Sequence, residues 1–414
     1  MQTKHSSSAR RYYRRSTAGK AGVPLALVVI ALVFLFGAWN MGYIDRWLYE
    51  SSLEKAGQAS STASPNEGES STTSPYYVYS QLDETDQKKY RIVLEALETR
   101  EGQPYPSDGM EDLNRIFQCV QADHPELFYV DGVSMETVTN RGNGLVERVT
   151  ITGRFAYTRE DTEVIAAQIN AAADICLAGV PIEGGDYAKS KYLYEWLAKN
   201  VVYDHATADT VLSANEEDSA HRTSQTIEGV FIRGEAVCGG YAGAYQLLLQ
   251  KLGIPCVCVT GYGYGAPHAW CMVFLDGAYY HVDPTWADPQ AIDDRQELGY
   301  VNYDYLNLTT EDVLRTHEIT SFYDLPDCVE MADNYYVHED LMFYSADEYR
   351  FGTLAADAMT RGTPLQVRFM EEADYYQIRD NFVANGRLGS YLPRGRSYQY
   401  SFTDANRSIV ILSR

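Results

Sequence analysis

In "RGEAVCGGYAGAYQLLLQKLGIP", residues 233–255, a cysteine and two glycines stand directly ahead of a run with helical spacing. Tyr241, Ala244, Tyr245, Leu248, Leu249 and Leu252 share one helical face, and Gly253 with Pro255 supplies the stop. Cys238 falls outside that stripe, at the predicted helix start. A thiol there meets unpaired N–H groups and the positive end of the helix dipole, both of which favour the thiolate. Packing is the commoner fate of a free cysteine, so the nucleophilic reading requires a base and a group that orients the base.

"PHAWCMVFLDGAYYHVDPTW", residues 267–286, contains two alternating runs around Asp276-Gly277, a strong signal for a two-residue type I′ hairpin turn. In that register Trp270 stands opposite Asp283 and His268 opposite Thr285. His268 and Asp283 then become diagonal neighbours on one sheet face, with Cα atoms about 7–8 Å apart. A one-residue change in the loop would place them on opposite faces. His281 shares their face and reads as a structural neighbour, whereas His317 has no partner that the sequence identifies. Chain order alone does not bring this hairpin to the Cys238 end of the helix.

Taken together, "GEAVCGGYAGAYQLLLQKLGIP" and "HAWCMVFLDGAYYHVDPTW" resemble the Cys, His and Asp blocks of the bacterial branch of the transglutaminase-like superfamily. The resemblance spans residues 186–320, and "HPELFYV" just before it is similar to a region often joined to this domain in anchored bacterial proteins. It implies an α+β, papain-like fold in which a Cys-bearing helix packs on an antiparallel sheet carrying the His and Asp. By position, Cys238 would be the nucleophile, His268 the general base and then acid, and Asp283 the group orienting the imidazole. Gln225 is a candidate oxyanion-hole donor beside the backbone amides near Cys238. "GYGYG", residues 261–265, reads as a flexible wall beside His268.

The remaining chain must position these groups. Residues 76–185 read as an α/β unit with helices over "DQKKYRIVLEALETREG" and "REDTEVIAAQINAAADICLAG" and a strand over "LVERVTITGRFAY". After the domain at 186–320, residues 321–414 form a C-terminal α/β unit. There, "NYYVHEDLMFYSADEYRFGTLAADAMTRGTPLQVRFME" reads strand, helix, strand, and "SYQYSF" and "SIVILS" read as further strands.

Ahead of these units, residues 22–44 carry no charge and are long enough to cross a hydrocarbon core of about 30 Å. Residues 1–21 are basic and the body is acidic, so the positive-inside rule predicts a cytoplasmic N-terminus and an extracellular body. An uncleaved anchor is favoured over a signal peptide, because the apolar run is long and no A-x-A site follows closely. Residues 45–75 are rich in Ser, Thr and acidic residues and read as a flexible spacer.

The net charge of −23 argues against a nucleic-acid partner. Seven cysteines, an odd number, leave at least one thiol unpaired in a monomer. Cys256 and Cys258 are read as facing opposite sides of a strand, and neither a metal site nor a cofactor is expected. The leading expectation is a membrane-anchored cysteine acyltransferase or amidohydrolase acting on protein or peptide amides of the cell envelope. The alternative is a binding or scaffold module at the cell surface that keeps the triad without using it.

Overall fold

A computed structural model describes residues 75–107, 109–140, 142–213, 219–292 and 299–413. The expected cytoplasmic segment, anchor and spacer lie outside these residues, apart from Pro75. Among the described residues no helix is long and apolar enough to cross a membrane.

The chain opens with helices α1 (Tyr77–Gln81) and α2 (Glu84–Thr99), strand β1 (Gln103–Pro104) and helix α3 (Met110–Asp123). Asp83 caps α2 by accepting from the Asp86 amide. A hairpin of β2 (Val130–Thr139) and β3 (Val146–Phe155) takes β1 at its edge, and α4 (Arg159–Leu177) and α5 (Gly185–Asn200) follow. Short strand β4 (Val202–Tyr203) then pairs in parallel with β5 (Glu235–Ala236), which leads directly into α6 (Cys238–Lys251).

Helix α6 ends as its sequence requires. Gly253 takes a φ of 75°, the Ile254 amide donates to the Leu249 carbonyl and the Gly253 amide to that of Gln250, a Schellman closure. The helix packs on β6 (Cys256–Gly263) and β7 (Ala266–Leu275). With β8 (Ala278–Val282) and β9 (His317–Ile319) these form an antiparallel sheet of order β8-β7-β6-β9. Apolar side chains from α1 through Cys328, including both faces of α6, join one continuous core. The mixture of helices with antiparallel sheets makes the fold α+β.

The C-terminal unit combines β10 (Met342–Phe343), α7 (Glu348–Arg361), β11 (Leu365–Phe369), α8 (Glu372–Ile378), β12 (Tyr398–Thr403) and β13 (Ser408–Ser413). Its sheet runs β10-β11-β13-β12 around a separate apolar cluster. One local expectation is overturned here: "NYYVH" begins with the helical turn Tyr335–His338 instead of a strand. Asn334 caps that turn by accepting from the Tyr336 amide, and short polar residues favour such starts.

Candidate active site

The hairpin register follows from its turn. Asp276 and Gly277 both adopt positive φ, 45° and 97°, as a type I′ turn demands. Leu275 therefore pairs with Ala278 and Cys271 with Val282, which puts His268 and Asp283 on the face anticipated from the sequence. His268 Nε2 lies 2.8 Å from Asp283 Oδ2. The two residues are only 6% and 1% exposed. Asp283 is held further by the Thr285 amide, which donates to Oδ1 at 3.0 Å.

Cys238 occupies the first position of α6, and its preceding residue, Val237, provides no capping side chain. All seven cysteines are free; six are buried, and Cys238 is the partly exposed one. The sulfur acts on the same imidazole that Asp283 holds. Burial opposes a charged His268, yet the Asp283 charge and hydrogen bond outweigh it, Cys238 adds in the same direction, and the ring is pushed up to about 10. Because Nε2 serves Asp283, Nδ1 is the ring nitrogen left for the sulfur. Burial would raise the Asp283 carboxyl, but His268 and His317 hold it well below the usual carboxylate range.

A tight backbone approach sets the mouth of the helix. The Val237 amide donates to the Ser224 carbonyl at 2.9 Å. A Cβ on Gly240 would stand 2.8 Å from the Thr226 carbonyl oxygen and 3.0 Å from that of Ser224, so only glycine admits this loop. Gln225 lies between those two residues, half-buried, on the strand of chain that lines the start of α6. That location brings the loop of the candidate oxyanion donor to the Cys238 end.

Three further residues join the site without having been anticipated there. His317, on β9, presents Nε2 3.4 Å from Asp283 Oδ2. Burial lowers its basicity more than Asp283 raises it. Thr316 Oγ1 lies 2.8 Å from its Nδ1; with that hydroxyl as donor, the Nε2–H of a neutral ring faces the carboxylate. Tyr203 sits where the charges of Cys238 and Asp283 reach it, and its phenol is raised by burial first and by those charges next. Trp286 stacks on His268 at 4.7 Å between centroids and 20° between planes, shielding the pair from water.

His281 is a structural neighbour, as expected. Its Nδ1 accepts from the Trp270 indole at 3.2 Å, and burial, with the nearby His317, pushes it down to about 3. "GYGYG" is not a loose wall: it continues β6 through Gly263, with Gly261 opposite His268. A Cβ on Gly261 would collide with the Glu318 carbonyl of β9, and one on Gly263 would lie 2.7 Å from Trp286. Those glycines serve close packing around His268. Cys256 and Cys258 do not face opposite sides: they share a face, both close enough to Cys271 to act on its thiol, as residues two apart on a strand must. His268, Asp283 and His317 also offer ligand atoms within 4.8 Å of one another, although the carboxylate oxygen is already shared by both rings.

Residues 180–284 match the family profile described as "Transglutaminase-like superfamily". Over 113 residues the chain is 28% identical to Kyphoscoliosis peptidase of Mus musculus and, over 113 residues, 26% identical to that of Homo sapiens. Each alignment covers 24% of this chain and 16% of the relative, so the chain spans a small part of their length. Among solved structures, a TGase is 20% identical with a TM-score of 0.28, covering 37% of this chain and 45% of that one. The periplasmic domain of TgpA from Pseudomonas aeruginosa is 17% identical with a TM-score of 0.23, covering 39% and 68%.

Proposed function

Because residues 180–284 form a transglutaminase-like domain, we propose that the chain is a cysteine enzyme that transfers or hydrolyses acyl groups of protein or peptide amides. The observation that carries this reading is the convergence of a partly exposed sulfur and a buried carboxylate on one imidazole. An imidazolium beside a sulfur at a helix N-terminus is the arrangement that stabilises a thiolate.

In the proposed cycle the Cys238 thiolate attacks the amide carbonyl carbon and the oxygen becomes anionic. The amides at the start of α6 and the Gln225 side chain are the candidate donors to that oxygen. The C–N bond breaks as His268 gives its proton to the leaving amine, which leaves a thioester on Cys238. Water or a second amine then loses a proton to His268, attacks the thioester and releases the sulfur. Asp283 keeps the imidazole oriented and stabilises its cationic form. The peptidase name of the curated relatives favours hydrolysis as the fate of the thioester. The N-terminal apolar segment is proposed to anchor the enzyme, with this domain outside the membrane facing envelope proteins.

A proteome-derived peptide mixture incubated with a fluorescent primary amine tests the reading. Wild-type protein is expected to generate new N-termini or amine-tagged side chains, and Cys238→Ala neither. A product pattern indifferent to Cys238 would argue for a binding module instead.

A further inference from the structure

Beneath α6 lie three sulfurs that the proposed chemistry does not use. Cys258 on β6 and Cys271 on β7 are direct cross-strand partners, whereas Cys256 stands opposite Val273. Cys258 and Cys271 are 1% and 0% exposed, and both are held as free thiols.

The hydrogen-bond phase of the ladder decides how close the pair comes. The Phe274 amide donates to the Pro255 carbonyl at 2.9 Å, so residues 255 and 274 form a hydrogen-bonded pair. Such pairs alternate along an antiparallel ladder, and the register runs unbroken from Cys256 and Val273 to Cys258 and Cys271. Cys258 and Cys271 therefore occupy a non-hydrogen-bonded position, where Cα atoms stand roughly 4.5 Å apart and side chains approach most closely. In keeping with that phase, the Cys258 carbonyl turns away from β7 and accepts from the Tyr323 hydroxyl.

A disulfide joins Cα atoms roughly 4.4–6.8 Å apart, so this pair lies within range. Cys256, a diagonal neighbour of Cys271 at about 7–8 Å, lies outside it. The sulfurs already interact: burial would raise the Cys271 thiol, but hydrogen bonds with Cys256 and Cys258 hold it down, to about 6. Cys258 Sγ donates to the Trp270 carbonyl at 3.2 Å and Cys271 Sγ to the Ala242 carbonyl of α6 at 3.3 Å. Thiols are weak donors, so little is lost when rotation about χ1 turns the two sulfurs towards each other.

We propose that Cys258 and Cys271 are a modification site, oxidised by a small-molecule disulfide to a cross-strand bond that staples β6 to β7 beneath the Cys238 helix. One protein thiolate attacks a sulfur of the oxidant and releases one small thiol. The second protein thiolate attacks the resulting mixed disulfide and releases the other. Two protein thiols thereby lose two protons and two electrons, and the S–S bond of the oxidant becomes two thiols. Because α6 packs on both strands and buries the pair, the exchange takes place while the chain folds, before that helix covers the sheet. The proposed placement outside the membrane supplies oxidising surroundings. The site stands independently of the chemistry assigned to Cys238.

Full-length protein folded with glutathione disulfide, its remaining thiols then blocked with N-ethylmaleimide, tests this by chymotryptic mapping and mass spectrometry. A cross-link between Cys258 and Cys271 is expected, retained in Cys256→Ser and lost in Cys258→Ser. The cross-linked protein should melt several degrees above protein kept in dithiothreitol, as closure of a loop in the unfolded chain implies. Maleimide or glutathione on both cysteines, Cys271 joined to Cys256 or Cys238 instead, or a cross-link that leaves the melting temperature unchanged would each overturn the proposal. Fragmentation of the wild-type cross-linked peptide separates Cys256 from Cys258 even if a variant fails to fold.

Discussion

His268 and Asp283 meet at 2.8 Å across the two strands of one hairpin, and the carboxylate rather than burial decides the charge of the ring. Asp283→Asn keeps the shape and removes that charge. The rate of Cys238-dependent peptide turnover is expected to fall by at least about 100-fold, since an orienting carboxylate also sets the imidazole tautomer. A steady-state assay of the variant beside wild type measures the loss.

His317 presents a second ring to the same oxygen, at 3.4 Å, so it positions Asp283 without touching substrate. His317→Phe is expected to lower turnover by about tenfold and to shift the pH profile of turnover, a loss on the scale of one hydrogen bond to a charged group. His317→Gln retains a donor and is expected to recover most of the rate. Equal defects in both variants would mean that the ring only fills space.

The pH dependence of stability follows from the directions of the two shifts. His268 is raised from 6.5 to about 10 in the folded state. Its contribution is therefore complete below about pH 6.5 and disappears as pH rises through about 10. Asp283 is depressed from 3.8, so its contribution is present above that value and is lost as pH falls towards its folded value. The melting-temperature gap between wild type and His268→Gln should be widest at about pH 5 to 6.5, narrow steadily above that, and close by about pH 10. Calorimetric scans at several pH values check this.

Cys238 is the partly exposed thiol among seven free cysteines. A chromogenic disulfide reagent should consume one thiol rapidly in the native protein and all seven after unfolding. Cys238→Ala should abolish the rapid phase and leave the slow one.

Gly240 lets the 224–226 loop touch the start of α6. In Gly240→Ala the added methyl meets two backbone oxygens at 3.0 Å or less, and a loss of about 1–3 kcal/mol in unfolding free energy is expected. Because that loop carries Gln225, turnover should fall even where the variant remains folded. Urea titration and turnover measured side by side separate the two effects.

Much of the site was legible locally. Residues 276 and 277 dictate the hairpin register, the register puts His268 and Asp283 on one face, and the stripe from Tyr241 to Leu252 places Cys238 at a helix start. Each of these depends on neighbours close in sequence. His317 and Tyr203 arrive otherwise, through the pairing of β9 with β6 and the parallel pairing of β4 with β5. Nothing within reach of either residue along the chain announces such long-range contacts. The glycines of "GYGYG" misled for the same reason: their need for close approach comes from Glu318 and Trp286, distant in sequence. Asn334 carries a cap signal, but the Tyr-Tyr-Val run after it favours a strand locally, so the two cues compete.

In the proposed triad His268 activates the Cys238 sulfur. Its most direct test is the rate at which iodoacetamide alkylates Cys238 at pH 6, followed by intact-protein mass spectrometry in wild type and in folded His268→Ala. The proposed triad predicts a rate at least about tenfold lower in the variant, because the imidazolium that holds the thiolate is gone. Equal rates would contradict it.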